Sequence, residues 1–399
     1  MLLSRPYSLV ALSLALGCAA PGPTDDGSTL VAIDLTPTAV TLGPAETRQF
    51  SALGRRADDA TTAISPMWAA TGGTISGAGL YTAGATPGTF RAVATLGALA
   101  DTAVVTISDP GPPAGTILFS ESFDLAGFAG RGWYDISVDM PTSTVEKRPG
   151  GSVRSLQWSW NLGGTGPSPN GTARHLFTPT DRVYVRYWVK YSTNWVGSGQ
   201  TSHPHEFLLL TTEDADYAGP AFSRLTAYIE HNWRASGGFP IIGLQDGVNI
   251  DQTKINQNLV GVSENRATQG CNGFGDVYPG PGSCYLNGAN YWNGRAFPGT
   301  SALWTDGAAT PGYKSNWHKV EAYFQLNTVA AGIGQADGVI KYWFDGTLIL
   351  DLPGVLMRTG QRPTMLFKQF LLGPYIGNGS PVAQSAWIDD LVVATGPVP

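Results

Sequence analysis

In the run RLTAYIEHNW, Leu225, Ala227 and Ile229 recur at every second position, so Arg224, Thr226, Tyr228, Glu230 and Asn232 fall on the opposite face of an extended chain. The run Trp317–Asn327 repeats the pattern, with Val320, Ala322, Phe324 and Leu326 alternating with Lys319, Glu321, Tyr323 and Gln325. VYVRYWVKYS adds Arg186, Trp188 and Lys190 in the polar phase. Aromatic rings stack on sugar rings and planar polar groups take hydroxyls. Such faces therefore read either as one surface lining a carbohydrate groove or as ordinary solvated sheet. His205 and His231 supply imidazoles, the side chain most often used as a general base. His231 is in phase with Leu225 and Ile229, which makes it either a base in the groove or a histidine satisfied in the core. His203 and His205 flank Pro204 at a spacing that can hold a metal, but no third ligand stands nearby, and no metal is expected there. His318 alternates with core residues and reads as structural.

These residues need strands to position them. Between Asp337 and Asp351 the sequence reads IKYWF, then Asp345-Gly346, then TLILD, a strong signal for a tight hairpin. Val183–Ser192, His205–Thr212, Thr364–Gly373 and Ala386–Val393 are further β-rich runs, and TILFSESFD is expected to pair through Leu118, Phe119 and Phe123 with the terminal WIDDLVV strand. The segment Gln257–Thr310 is too long for a passive connection and is expected to overhang the groove as a lid, with Tyr291, Trp292 and Arg295 as binding residues. Asp389 and Asp390, with Glu121 or Asp124, could hold a structural Ca²⁺, or one Asp could simply cap a strand end by accepting backbone hydrogen bonds.

The 399-residue chain is longer than one core comfortably fills, so two folded units are expected. Its 51 Gly, 28 Pro and 14% charged residues fit turn-rich β structure and leave helix scarce. A net charge of −6 with no Lys/Arg-rich run gives no footprint for a phosphate backbone, which argues against nucleic acid as a partner. Past the first eighteen positions no apolar run approaches the roughly 20 residues needed to cross a bilayer. Arg5, the apolar stretch Leu9–Leu16 and LALGC ending at Cys18 resemble a bacterial lipoprotein signal. That resemblance implies export, lipidation of Cys18 and an anchor in the outer membrane or at the cell surface. Ala15 stands where such signals usually carry Leu, so secretory cleavage near Ala19-Ala20 is the other route. Cys271 and Cys284 bracket a Gly/Pro-rich loop and read as a disulfide, whose closure contributes about 3 kcal/mol by the chain-entropy model. The expected order is a signal at 1–18, a flexible leader at 19–29, a first domain at 30–108, a Pro/Gly linker at 109–115 and a second domain at 116–399.

The opening VAIDLTP, Trp68 before a turn, GLYTAG and the closing TAVVTI make residues 30–108 resemble a bacterial Ig-like group 2 domain, a module that serves as spacer or adhesin. NWHKVEAYFQLN, DGVIKYWFDGTLILD and AWIDDLVV resemble the closing strands of a concanavalin A-like sandwich, most like its polysaccharide lyase branch. The fold class expected is therefore all-β, an Ig-like sandwich followed by a jelly roll. Retaining glucanases of this fold place paired carboxylates on one strand as E-x-D-x-E, and no such run exists here; Glu213, Asp214 and Asp216 fall in a loop. A lyase acting on a uronate polymer needs a cation or amide to neutralise the carboxylate, a base for the C5 proton and an acid for the leaving oxygen. For these roles the chain supplies Arg224 or Lys319 as neutraliser, His205 or His231 as base and Tyr228 or Tyr323 as acid, with Glu230, Asn232 and Gln325 binding substrate and no cofactor required. The expected function is β-eliminative cleavage of an acidic polysaccharide. The alternatives are a carbohydrate-binding surface lipoprotein without catalysis, or a glycoside hydrolase in which Glu230 and Glu321 face each other.

Overall fold

Two-residue alternation of apolar side chains sets the architecture, because each strand with one apolar face must bury it against a second sheet. The computed structural model describes residues 29–109, 111–136, 138–150, 152–200, 204–211, 225–234, 237–246, 285–287, 290–292, 294–299, 302–355, 357–358 and 363–399. For Arg234, Gln245, Asp246 and the residues described within 285–296 it describes backbone alone. Among the described residues all regular structure is strand, and no helix is long and apolar enough to cross a membrane. The chain divides into two units, Met1–Gly111 and Pro112–Pro399.

In the first unit, Leu99–Ile107 pairs in parallel with Ala39–Leu42 and antiparallel with Gly88–Leu96, which pairs in turn with Met67–Ala70. Leu30–Thr36, Ser51–Arg56 and Thr61–Ala63 form a second sheet, and Thr47–Gln49, Leu80–Ala83 and Gly73–Ile75 a third. Ile33, Leu35, Phe50, Tyr81 and Val105 fill the core between them.

The second unit is a jelly-roll sandwich of two large sheets. One, here the back sheet, runs in the order Thr142–Ser143, Ser155–Trp160, Gln384–Ala394, Arg182–Tyr191, His318–Gln325, Gly338–Phe344 and Thr347–Val355. Ile117–Glu121 pairs with Gln384–Ala394, so the unit's first and last long strands meet in it, through Phe119 opposite Val393 and Glu121 opposite Leu391; Phe123 lies beyond the strand. The front sheet runs Trp133–Tyr134, Ala173–Thr180, Phe367–Tyr375, His205–Leu210, Leu225–Arg234, Gly237–Asp246 and Gly294–Pro298, with Trp304–Thr305 paired to Gly237–Asp246. Of the segment expected to be a lid, residues 257–284 lie outside the described residues, while Gly294–Pro298 and Trp304–Thr305 join this sheet and the Trp304 ring is fully buried. Val185, Val189, Val320, Ala322 and Phe324 of the back sheet pack against Phe207, Leu209, Ala227 and Ile229 of the front sheet. Burying each aliphatic or aromatic side chain of this size contributes about 1.5–3 kcal/mol.

The hairpin at Asp345-Gly346 forms as its sequence indicates, Phe344 pairing with Thr347 and both turn residues having positive φ, 48° and 79°. The Asp345 carboxylate accepts a hydrogen bond from the Lys319 backbone N–H at 2.8 Å and lies 2.8 Å from His318 Nδ1, whose Nε2 faces the Tyr313 carbonyl at 3.0 Å. His318 is therefore structural, pinning the turn to the neighbouring strand. Replacing Gly346 by Val places a β-branched residue in the left-handed region and should lower the unfolding free energy of the second unit by about 1–2 kcal/mol, read from denaturant midpoints at constant slope.

Candidate active site

The strand His205–Leu210 carries an extra residue. His205 pairs with Glu230 and Phe207 with Ile229, so Glu206 is bulged and the alternation changes phase across it. The register against Phe367–Tyr375 shifts at the same point, bringing Tyr375 opposite His205. His205 thus joins the outer face of the front sheet, while Glu206 turns into the space between the sheets.

On that outer face a cluster forms around His205. Its Nδ1 lies against the Glu230 carboxylate. Its ring centroid is 4.9 Å from that of Tyr228 and 6.1 Å from that of Tyr375, the latter stacked at 13°. Asn232 follows Glu230 two residues along the same strand and on the same face. Tyr228, Glu230 and Asn232 are buried, His205 is partly open and Tyr375 is 45% exposed. Leu208, Leu210 and Leu371 pack with Tyr228 beside the cluster. Across the same face, Arg174 binds Asp135 at 2.8 Å and donates to Gln369, and Gln369 donates to the Tyr134 hydroxyl at 2.9 Å. Tyr375, Arg174 and Gln369 were not identified from the sequence. The apolar reading of Thr364–Gly373 ends at Gly373, two residues short of Tyr375, although the strand continues through Pro374.

Beneath this face, Glu206 sits in a wholly buried polar network. It accepts hydrogen bonds from the hydroxyls of Tyr191 at 2.6 Å and Tyr187 at 3.3 Å, and lies 2.7 Å from His231 Nδ1. His231 Nε2 is 2.8 Å from the Tyr342 hydroxyl, and the Trp304 ring covers the imidazole at 4.3 Å. Burial, reinforced by the nearby Glu206 charge, pushes the three tyrosines well above their ordinary value, so they remain neutral donors. His231 is consequently a core residue between the layers and not a groove base, because its phase with Leu225 and Ile229 holds to the end of the strand.

Lys319, Tyr323 and Gln325 lie elsewhere. They alternate with Val320, Ala322 and Phe324, which face the front sheet, so they occupy the outer face of the back sheet, on the opposite side of the sandwich from Tyr228. Lys319 pairs with Glu321 at 2.7 Å, and Tyr323 donates to Gln325 at 2.7 Å with its phenol raised by burial. The single groove surface expected from alternation is thus two surfaces, since alternation gives the phase of each strand but not its sheet. Glu230 and Glu321 are separated in the same way, so these two do not form the paired-carboxylate arrangement for hydrolysis. Arg224, Cys18, Cys271, Cys284 and His203 lie outside the described residues, as do the side chains of Tyr291, Trp292 and Arg295; Arg295 pairs through its backbone with Leu244.

No family model matches the chain, and no curated protein matches it. Solved structures with related strand arrangements include an alginate lyase from a Chlorella virus, 13% identical over 64% of this chain and 89% of that one, with a TM-score of 0.39. An alginate lyase from Aplysia kurodai is 16% identical over 70% of this chain and 99% of its own, at 0.38. An endo-β-1,4-glucuronan lyase from Trichoderma reesei is 14% identical over 70% and 96%, at 0.37. Likenesses this distant carry no residue roles.

The acidic residues at the back sheet's edge are occupied by protein donors. Glu121 accepts from the Phe123 N–H, Arg131 and the Trp133 indole at 2.8 to 3.0 Å. Asp124 accepts from the Val153 and Arg154 N–H groups, which with Ser122 and Ser152 hold it below its ordinary value against the upward push of burial. Asp390 pairs with Arg148. Asp389 accepts from Ser152 at 2.6 Å, the Arg148 N–H at 3.2 Å and the Asp390 N–H at 2.8 Å, donors it meets inside the strand Gln384–Ala394 and not at a strand end. Among the described residues no group of three or more His, Cys, Asp and Glu side chains is arranged to hold a metal. Burial is the largest influence on Asp389 and pushes it up from 3.8 to about 6, against those hydrogen bonds. The folded protein therefore holds this proton more tightly than the unfolded chain, and the stabilisation is full below 3.8 and lost as pH rises through about 6. Relative to an Asp389→Asn variant, the wild type should lose up to about 3 kcal/mol of unfolding free energy across that window in denaturant titrations.

Proposed function

We propose that the protein is a polysaccharide lyase that cleaves an acidic, uronate-containing glycan by β-elimination on the outer face of the front sheet. The observation that carries this reading is His205 set between two tyrosine rings with a carboxylate on Nδ1. A carboxylate on Nδ1 fixes the tautomer, leaves the lone pair on Nε2 and stabilises the imidazolium that forms when a proton is taken. Nε2 removes the C5 proton of the uronate, the C–H electron pair becomes the C4–C5 double bond, and the C4–O bond breaks. The Tyr228 hydroxyl gives its proton to the departing oxygen. The Asn232 amide serves to neutralise the uronate carboxylate so that C5 becomes acidic. Tyr375, the exposed ring, stacks on a sugar.

The test incubates wild type, His205→Ala and Tyr228→Phe with alginate, glucuronan and glycosaminoglycans and follows absorbance from new unsaturated ends. Wild type should form product on at least one polymer, and each variant should fall by about 10²-fold or more at unchanged thermal midpoint. Product from no polymer overturns the lyase reading, and binding without product assigns a carbohydrate-binding module instead.

Export with a lipid anchor at Cys18 belongs to the same proposal, supported by the charged, apolar and small-residue order before that cysteine. Cells expressing the full chain with radiolabelled palmitate should label the wild type and not Cys18→Ser. Equal labelling of the two removes the anchor.

A further inference from the structure

The outer face of the back sheet has a groove of its own. It has a volume of about 470 Å³ and is lined by Arg148, Arg186, Trp188, Lys319 and Asp390, with Ser120 and Ser122 at one edge. The sheet is dented there: the register between Arg182–Tyr191 and Gln384–Ala394 shifts between Arg186 and Trp188, and Asp390 has a positive φ of 46°. That irregularity opens a depression beside the Trp188 ring. The Arg148 guanidinium lies over this ring at 5.2 Å, and its Nε is buried with no hydrogen-bond partner among the described residues.

Each carboxylate side chain around the groove has a protein partner. Glu121 is committed to Arg131 and the Trp133 indole, Asp390 to Arg148, and Glu321 to Lys319 and the Tyr184 hydroxyl. Arg186 donates from Nη1 to the oxygens of Val398 at 2.9 Å and Pro399 at 3.1 Å, and also interacts with the Tyr184 hydroxyl. A guanidinium has five N–H donors in a planar fork, so capacity remains for a carboxylate. An indole platform, a guanidinium with donors in reserve, a buried unpartnered Nε and an ammonium form a site for a flat sugar ring that carries negative charge.

We propose that this groove is a second glycan-binding site, built for an acidic polysaccharide and distinct from the His205 cluster on the other side of the sandwich. It would keep the polymer on the protein between turnovers. The proposal rests on the reading of the protein as glycan-active but not on catalysis.

The test is affinity electrophoresis of the full chain through gels containing sodium alginate, with laminarin as the neutral control. Wild type and His205→Ala should be retarded alike by alginate and little by laminarin. Arg186→Gln and Trp188→Ala should each weaken the alginate interaction by about tenfold at unchanged thermal midpoint, while keeping wild-type turnover of short oligosaccharides. Lys319→Gln is the second charge variant, in case Arg186→Gln fails to fold. Retardation of the Arg186, Trp188 and Lys319 variants equal to wild type overturns the site, as does absence of alginate retardation in His205→Ala. Equal retardation by laminarin overturns the acidic specificity. Product formation is read separately, so an inactive but retarded protein sinks the lyase reading and leaves this one standing.

Discussion

A carboxylate placed inside an apolar sandwich must find donors, and Glu206 finds them on both layers. Its bulge and His231 belong to the front sheet, whereas Tyr187, Tyr191 and Tyr342 come from the back sheet. Hydrophobic contact between the layers is non-directional, but these hydrogen bonds fix one sheet against the other at a single registration. The same bulge turns His205 outward to meet Glu230, Tyr228 and Tyr375. A buried polar cluster and an exposed chemical one are therefore two sides of one backbone irregularity.

The sandwich gives its two outer faces different chemistry. The front face gathers imidazole, phenols, amide and carboxylate around one bulge, the combination needed to move protons. The back face offers indole, guanidinium and ammonium around another, a combination that holds charge without transferring it. Each irregularity lies where a strand departs from strict alternation.

Much of the architecture could be read from alternation. Val320, Ala322 and Phe324 face the core, Asp345-Gly346 turns the hairpin, and the strand beginning at Ile117 pairs with the terminal strand. Each depends on contacts within a strand, on local turn chemistry or on an ordered pair of apolar runs. Assignment of strands to sheets was not legible, since it depends on pairing between distant segments, and this is why Tyr323, Lys319 and Gln325 parted from Tyr228. His231 was left open by its phase and resolved by burial. Tyr375 was hidden by Gly373-Pro374, residues that normally end a strand, and Glu206 by a bulge that no period-two pattern announces.

The place of Gln384–Ala394 in the back sheet has a bearing on biogenesis. This late segment is an interior strand, inserted between Ser155–Trp160 and Arg182–Tyr191. Until it leaves the ribosome, the sheet consists of two halves with open hydrogen-bonding edges and no shared centre. Assembly of the back sheet must then wait for this segment, so its two halves stay unjoined until Gln384–Ala394 is made. Until it arrives, the open edges of both halves are exposed to pairing with other chains.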